Sequence, residues 1–177
     1  MKFKNVFGSG PAHEEKIKRQ IVESGAELPN NYTFETLIDH FNGSSNETYA
    51  MRYLVDTQYY NNETGPVLFY AGNEGDIWTF YNNSGFMTTT LAQEFGAAVV
   101  FAEHRYYGES MPFGNETFQV ENLRFLSVEQ VMQDFIKLLD EIPSKGVVVK
   151  DRAVISFGGS YGGMLAAWLR MKYPNKF

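Results

Sequence analysis

Short apolar runs alternate with helical segments along much of the chain. Three continuous runs have the length of strands that are buried on both faces of a sheet, at residues 66–70, 97–101 and 154–157. Helices are expected at residues 84–95, before Gly96, and at residues 128–142, before Pro143. This alternation predicts an α/β protein with a mostly parallel sheet and helices on both faces.

The first third of the chain carries weaker patterns. Partial alternation of apolar residues predicts early strands at residues 32–40 and 49–56, separated by a polar stretch at 42–47. Residues 1–28 contain a charged patch at 13–19 and few apolar residues to bury. We therefore expect a loosely ordered lead-in or pro-segment there.

A glycine-rich turn, Gly-Gly-Ser-Tyr-Gly-Gly, follows the last strand at residues 158–163. Gly158, Ser160 and Gly162 fit the G-x-S-x-G pattern of a nucleophile elbow, in which a strained turn exposes a serine hydroxyl above a sheet. Side chains beside the serine would make strand and helix collide, which explains the glycines. A tight connection or a phosphate loop would also be glycine-rich, but no lysine follows at Walker spacing. We predict that Ser160 is a catalytic nucleophile.

Backbone N–H groups are expected to stabilise the oxyanion that forms when a serine attacks a carbonyl group. The N–H of Tyr161 lies at the N-terminus of the helix that follows Ser160 and can point at that oxygen. A second donor comes from a loop after an earlier strand, and the turn at residues 72–75 follows such a strand. Asn73 and Glu74 are its candidates, with a purely structural turn as the alternative.

Composition narrows the class of protein. Of 177 residues 44% are hydrophobic, which is enough for one globular domain with a sizeable core. A net charge of -6 argues against nucleic acid as a partner, and no apolar run has the length of a membrane span. The absence of cysteine excludes disulfides and thiolate chemistry. We expect no cofactor and no metal site.

N-glycosylation sequences are more frequent than ordinary Ser and Thr usage would produce. They begin at Asn31, Asn42, Asn46, Asn62, Asn82 and Asn115. N-linked glycans and the secretory pathway are therefore expected. Residues 1–8 lack the apolar core of a signal peptide, so we expect either a missing leader or a misplaced start.

From about residue 31 onwards the chain resembles the proline-specific serine peptidases that comprise lysosomal Pro-X carboxypeptidase, dipeptidyl peptidase II and thymus-specific serine protease. The matching segments are residues 39–41, 52–55, 72–76, 82–86, 101–110, 112–114 and 158–174. The resemblance implies an α/β-hydrolase fold and hydrolysis after proline by a Ser, Asp, His triad in that order. Ser160 matches the nucleophile, and the other two members lie further along in the family. Residues 29–177 would then be the N-terminal half of a catalytic domain, truncated after the nucleophile elbow.

The resemblance also suggests roles for other residues. Met164 would line a proline pocket, or belong to the ordinary core. Glu74 would anchor the amino terminus of a substrate in a dipeptidyl peptidase. A carboxypeptidase needs a cation such as Arg105 for the substrate carboxylate, unless Arg105 simply pairs with Glu103. His104 matches a family residue that is not the triad base, so we expect it to be structural.

We expect a Pro-X carboxypeptidase-like enzyme, acting on peptides with proline near a terminus and located in lysosomes or secreted. The alternatives are a dipeptidyl peptidase II-like aminopeptidase, an esterase or lipase with the same elbow, and a catalytically silent truncated glycoprotein with a binding role. Residues 1–177 alone are expected to be inactive, because a serine hydroxyl needs a histidine to take its proton. Whether the protein forms a homodimer is left open.

Overall fold

A five-stranded sheet flanked by helices organises the chain in a computed structural model that describes residues 10–177. The strands are β1 (Asn30–Leu37), β2 (Thr48–Asp56), β3 (Val67–Ala71), β4 (Ala98–Ala102) and β5 (Val154–Phe157). The helices are α1 (Pro11–Glu23), α2 (Ile77–Asn82), α3 (Ala92–Phe95), α4 (Val128–Glu141) and α5 (Tyr161–Lys172). Short 3-10 segments lie at Gly114–Glu116, Leu123–Phe125 and Ile142–Lys145. The positions of the three predicted strands are confirmed to within one residue at each end. β3 and β4 are buried throughout, but β5 is not: it lies at the edge of the described sheet, and Ile155 is 44% exposed.

The sheet has the order β1-β2-β4-β3-β5 and combines a parallel part with an antiparallel edge. β3 pairs in parallel with both β4 and β5, whereas β2 pairs antiparallel with β1 and β4. The predicted parallel arrangement is found in β4, β3 and β5. The sheet as a whole is mixed because the connection at residues 38–47 holds no crossover helix, so β1 and β2 form an antiparallel hairpin.

Alternate strand residues face two apolar cores, one on each side of the sheet. Phe69 of β3 belongs to the core that contains Phe135 of α4 and Leu165 of α5. Its neighbour Leu68 belongs to the other core, which contains Trp78 of α2. Because successive strand residues point to opposite faces, a strand with both faces covered is apolar throughout. Helices therefore cover both faces, as predicted.

Residues 11–23 form the helix α1, where the sequence pattern suggested a loosely ordered lead-in. Pro11 begins the helix, at a position where a missing N–H costs no hydrogen bond. Ile17 and Ile21 are spaced four residues apart and are buried in the core that contains Trp78. Two isoleucines among charged residues form a narrow apolar stripe that packs the helix onto the core. The composition of the segment as a whole does not show this stripe. Residues 1–9 of the expected lead-in lie outside the described part.

The helix predicted at residues 84–95 is present but not regular. Phe86–Leu91 is π-helical and continues directly into α3. The helix ends at Gly96, whose φ of 58° is the left-handed conformation that favours glycine. Within residues 10–177, no helix is both long enough and apolar enough to cross a membrane.

Candidate active site

Ser160 lies at the tip of a strained turn between β5 and α5. Its backbone φ of 53° and ψ of -128° are sparsely populated for a residue with a side chain, and such a conformation costs about 1–3 kcal/mol. The residue is exposed and immediately precedes the first turn of α5. The structure therefore has the strand, strained turn and helix that a nucleophile elbow requires.

Two glycines allow this turn to form. A Cβ atom on Gly158 would lie 2.7 Å from the nitrogen of Gly163 and closer still to the carbonyl group of Gly162. A Cβ atom on Gly162 would lie 2.6 Å from the carbonyl oxygen of Ala71, at the end of β3. All of these neighbours are backbone atoms, which cannot move aside as a flexible side chain can. The steric reason for the G-x-S-x-G spacing is thus present in the structure.

The two proposed sources of oxyanion donors lie next to each other. Tyr161 is the first residue of α5, so its N–H is one of those that have no acceptor inside the helix. The turn at residues 72–75 follows β3, and its Asn73 reaches the start of α5, where a Cβ on Gly162 would lie 3.1 Å from Asn73 Oδ1. Asn73 is buried and its Nδ2 donates to Glu74 Oε2 at 3.2 Å. Asn73 Oδ1 has no hydrogen-bond partner among the described residues.

A cleft of about 210 Å³ opens beside the elbow. Its lining residues are Glu74, His104, Tyr107, Leu126, Ser127, Val128 and Tyr161. Four of them, Glu74, His104, Tyr107 and Tyr161, come from the turn after β3, the segment after β4 and the start of α5. These three segments meet because parallel strands end at the same edge of a sheet. Glu74 is the one acidic side chain in this lining, and no lysine or arginine of residues 10–177 belongs to it.

Tyr161 contacts His104 across the floor of this cleft. The Nδ1–H of His104 donates to the carbonyl oxygen of Arg105 at 2.6 Å. The Tyr161 hydroxyl lies 3.1 Å from His104 Nε2. Burial lowers the pKa of His104 to about 4 and raises the pKa of Tyr161 to about 12. Both side chains are therefore neutral at neutral pH.

Arg105 does not reach the cleft, contrary to one expectation from the sequence. Its guanidinium is fully buried and donates to both carboxylate oxygens of Asp134, from Nε at 2.7 Å and from Nη2 at 2.9 Å. Its remaining donors bind the backbone carbonyl oxygens of Leu37, Ile38 and Phe125. A guanidinium with every donor occupied cannot also bind a substrate carboxylate. Arg105 is thus a structural residue in this part of the protein.

Asp134 is the centre of a buried polar cluster that the sequence analysis missed. Besides Arg105, it accepts hydrogen bonds from Thr36 at 3.1 Å, His40 at 2.7 Å and Tyr49 at 2.8 Å. Although burial acts to raise it, hydrogen bonds from His40 and Arg105 hold the pKa of Asp134 below its ordinary value. The cluster ties α4 to β1 and β2 and to the segment after β4.

Glu103 pairs with Arg52 and not with Arg105, which corrects the second expectation for this segment. Arg52 Nη2 lies 2.7 Å from Glu103 Oε1 and 2.7 Å from Asp76 Oδ2. Asp76 also caps α2, because its Oδ1 accepts from the N–H of Trp78 at 2.8 Å. Arg52 thereby connects β2 to the end of the turn at residues 72–75. Sequence reasoning had no means of finding a pair whose members are 51 positions apart.

Histidine partners for Ser160 are absent from the described part of the chain. His40 Nε2 binds Asp134, His104 binds Arg105 and Tyr161, and His13 Nε2 lies 3.4 Å from Thr79 Oγ1. None of these rings forms a hydrogen bond with the Ser160 hydroxyl. A serine hydroxyl needs a base to act as a nucleophile, and residues 10–177 place no histidine in hydrogen-bond contact with Ser160. The same residues contain no group of three or more acidic or histidine side chains that could hold a metal ion.

Met164 and the glycosylation sequences lie on the surface. Met164 is 52% exposed on α5, one turn after Ser160, and it does not line the cleft. All six glycosylation asparagines are exposed, at Asn31, Asn42, Asn46, Asn62, Asn82 and Asn115. Asn31 lies within β1 and Asn82 at the end of α2, whereas the other four lie outside the longer helices and strands.

The mixed sheet, its flanking helices and the turn at Ser160 give the chain an α/β-hydrolase fold. Solved structures with this fold include an acylaminoacyl peptidase from Pyrococcus horikoshii, with a TM-score of 0.54 and 15% identity, covering 90% of this chain and 24% of that chain. A cold-adapted esterase from an Arctic intertidal metagenomic library has a TM-score of 0.51 and 16% identity, covering 81% of this chain and 56% of that chain. At such low identities the similarity shows the fold alone.

The serine carboxypeptidase S28 family matches residues 36–177, and the chain belongs to this family. The chain is 49% identical over 143 residues to human lysosomal Pro-X carboxypeptidase, and the aligned residues cover 80% of this chain and 29% of that protein. It is 35% identical over 150 residues to human thymus-specific serine protease, covering 85% of this chain and 29% of that protein. The chain thus spans less than a third of the length of these relatives. The family expected from the sequence motifs is confirmed.

Proposed function

We propose that the protein containing this chain is a serine peptidase that hydrolyses peptide bonds on the carboxyl side of proline. The Oγ of Ser160 adds to the carbonyl carbon of the proline residue, and its proton passes to a base that residues 10–177 do not supply. The carbonyl oxygen becomes an oxyanion; when the carbonyl forms again, the bond to the next nitrogen breaks and that nitrogen takes the proton and leaves as an amine. The N–H of Tyr161 and a backbone N–H of the turn at Asn73 and Glu74 receive the oxyanion. The observation that carries this proposal is the exposed Ser160, held at positive φ between two glycines at the start of a helix.

A carboxypeptidase-like action on the residue after proline is the form of the reaction that we favour. Its support is the 49% identity to a human protein named lysosomal Pro-X carboxypeptidase. The proline ring has no N–H to satisfy, so its pocket needs apolar walls. Met164 would supply one such wall. It lies on the exposed side of α5, and its N–H donates to the carbonyl oxygen of Ser160 at 3.2 Å.

One observation favours the second candidate, a dipeptidyl aminopeptidase. Glu74 is exposed in the cleft and lies beside aromatic side chains, among which Tyr107 and Tyr161 line the same space. A carboxylate flanked by aromatic rings suits the cationic amino terminus of a peptide. Arg105, the cation that a carboxypeptidase would use from this segment, is buried against Asp134. A carboxypeptidase would therefore need a carboxylate-binding group other than Arg105.

Peptides with blocked ends separate these candidates when they are tested on the intact gene product. We expect cleavage of an acetylated peptide in which proline is followed by one last residue with a free carboxyl group. The same sequence with a free amino terminus and an amidated carboxyl terminus should not be cleaved. The opposite pattern would show a dipeptidyl peptidase, in which case Glu74→Gln should raise KM for the free amino terminus. Peptides with alanine in place of proline and the Ser160→Ala variant serve as controls. Equal cleavage after proline and alanine would contradict the proline specificity.

Glycosylation and location belong to the same proposal. Six exposed asparagines in glycosylation sequences favour N-linked glycans, and so a secreted or lysosomal protein. Treatment of the native protein with an amidase that removes N-linked glycans should increase its mobility in a denaturing gel. An unchanged mobility would contradict the assignment of these six asparagines as glycan sites.

A further inference from the structure

We infer that His104 is a positioning residue, which holds the side chain of Tyr161 and thereby the peptide N–H next to Ser160. This inference rests on the proposed use of that N–H as an oxyanion donor. The motif at residues 103–110 has no catalytic base in it, and the proposed function leaves its histidine without a role. The contact between His104 and Tyr161 supplies one.

The direction of the two hydrogen bonds follows from the chemistry of the atoms. The carbonyl oxygen of Arg105 can only accept, so His104 Nδ1 must carry the proton that it donates over 2.6 Å. A neutral imidazole has one N–H, which leaves Nε2 as an acceptor. The Tyr161 hydroxyl at 3.1 Å therefore donates to Nε2. His104 is in this way an acceptor for one defined partner.

His104 is itself held rigidly. Its ring is 1% exposed and packs edge-on against Tyr107, with ring centres 5.4 Å apart. The carbonyl group that it binds belongs to Arg105, whose guanidinium is fixed by Asp134 and by three backbone carbonyl oxygens. The imidazole thus connects Tyr161 to a rigid buried cluster and fixes the position of its hydroxyl group.

Tyr161 connects this contact to the reacting serine. It is the residue directly after Ser160 and the first residue of α5, so its backbone and side chain share one Cα at the elbow. A side chain anchored on the segment after β4 restricts rotation of the peptide unit between Ser160 and Tyr161. A fixed direction of this N–H is what electrostatic stabilisation of an oxyanion requires, because donors that must reorient lose their advantage.

Burial of the imidazole keeps this pair in one protonation state. The ionisable groups near the imidazole are Arg105, Asp134, Glu74, Tyr107 and Tyr161. Burial dominates among these influences, and the pKa of the imidazole is lowered to about 4. The acceptor at Nε2 is therefore available at neutral and at mildly acidic pH.

Three variants of the intact gene product test this role. Tyr161→Phe removes the donor hydroxyl, His104→Leu removes the acceptor, and His104→Gln keeps an acceptor oxygen near the position of Nε2. The readouts are kcat and KM on a proline peptide, the rate at which a fluorophosphonate labels Ser160, and Tm. Labelling does not depend on proline specificity, so it separates this inference from the proposed substrate.

We expect Tyr161→Phe and His104→Leu each to lower kcat and the labelling rate about fivefold, the effect of one neutral hydrogen bond, with little change in KM. His104→Gln should recover most of that loss. In the Tyr161→Phe background, His104→Leu should add less than a twofold loss, because its effect passes through the hydroxyl.

Other outcomes would overturn the inference. If His104→Leu lowers the rates equally in both backgrounds, or lowers only Tm, the ring is a packing residue. If Tyr161→Phe labels as fast as the parent protein, the hydroxyl contact has no influence on the elbow, and this isosteric variant decides the matter even where His104→Leu does not fold. An intact protein that is labelled at Ser160 but leaves proline peptides uncut would contradict the proposed function alone.

Discussion

Gly162, in the first turn of α5, packs directly against Ala71 at the end of β3, where a Cβ on the glycine would lie 2.6 Å from the Ala71 carbonyl oxygen. The turn that carries Ser160 and the turn at residues 72–75 approach each other closely at this backbone contact. No substituent fits between them without moving one of the two. The position of Ser160 relative to residues 72–75 therefore depends on residue 162 being a glycine, which has no side chain.

The first prediction concerns this contact. Gly162→Ala should displace the elbow, lower stability by about 1–3 kcal/mol as other overpacked sites do, and slow fluorophosphonate labelling of Ser160. Gly85→Ala is the matched control, because a Cβ there meets nothing within 4 Å and its φ of -54° suits alanine. The measurements are denaturant unfolding and the labelling rate. Equal behaviour of the two variants would show that the contact is looser than described.

The buried cluster around Asp134 gives the second prediction. Asp134→Asn leaves the Arg105 guanidinium without its counter-charge in a fully buried site, and we expect a loss of about 3–5 kcal/mol in the free energy of unfolding. Asp140→Asn, also on α4, removes an exposed carboxylate that pairs with Lys176 and should cost about 0–1 kcal/mol. Denaturant titrations of the two variants provide the comparison. Similar losses for both would contradict a dominant role of the buried pair.

The elbow could be predicted from the sequence because its determinants are local. Gly158 and Gly162 are required by atoms within a few residues or by the strand that the motif itself implies. The two buried arginine clusters depend instead on residues far apart in the chain, such as Thr36 and Asp134, which are 98 positions apart. One sign was available, since Asp134 lies on the apolar face of α4 beside Phe135. A carboxylate at a core position predicts a buried partner, although the sequence does not reveal which one.

The helix α1 was concealed for a related reason. Its docking depends on Ile17 and Ile21 and on an ion pair between Glu14 Oε2 and Arg52 Nη1 at 2.8 Å. Arg52 lies on β2, so the partner of Glu14 becomes apparent only when the sheet has formed. The composition shows only that the segment is rich in charged residues, and disordered segments have the same composition.

The third prediction tests how α1 is held. Although burial acts to raise it, Lys18 and Arg52 hold the pKa of Glu14 below its ordinary value of 4.5. A carboxylate with a lowered pKa stabilises the folded state fully above the ordinary value, and this contribution is lost as the pH falls below that value and through the lower pKa of the folded state. Glu14→Gln should therefore increase hydrogen exchange of the α1 amides severalfold at neutral pH, and the difference from the parent protein should shrink on acidification.

Glu15→Gln is the control for this experiment, because the Glu15 side chain is 70% exposed and, within residues 10–177, forms an ion pair with Lys18 alone, at 3.3 Å. It should leave exchange of α1 nearly unchanged. If the Glu14 and Glu15 variants exchange alike, the ion pair with Arg52 contributes nothing to the docking of the helix.

The fourth prediction follows from the burial of His104. Its pKa falls from an ordinary value of 6.5 to about 4 in the folded protein. Between these values the unfolded chain binds a proton that the folded protein does not, so the folded state loses stability as the pH falls from 6.5 towards 4. A shift of this size corresponds to about 3 kcal/mol. His104→Gln should remove that share of the acid sensitivity.

The measurement is the free energy of unfolding of the parent protein and of His104→Gln between pH 7 and pH 4. At pH 7 the free energy of unfolding is lower for the variant if the replacement packs less well. The comparison therefore uses the slope of this free energy against pH and not its absolute value. Parallel curves would contradict the assignment of a neutral, buried imidazole.

Ser160 as the nucleophile is the central claim, and mapping of a covalent label tests it most directly. The intact gene product would be treated with a fluorophosphonate and digested, and the modified residue identified by mass spectrometry, alongside the variants Ser160→Ala and Ser156→Ala. The Oγ of Ser156 donates to the Ala166 carbonyl oxygen at 3.0 Å, so this neighbouring serine is a suitable control. We expect one modified residue, Ser160, with labelling lost in Ser160→Ala and kept in Ser156→Ala. A label on another serine, or undiminished labelling of Ser160→Ala, would contradict the account.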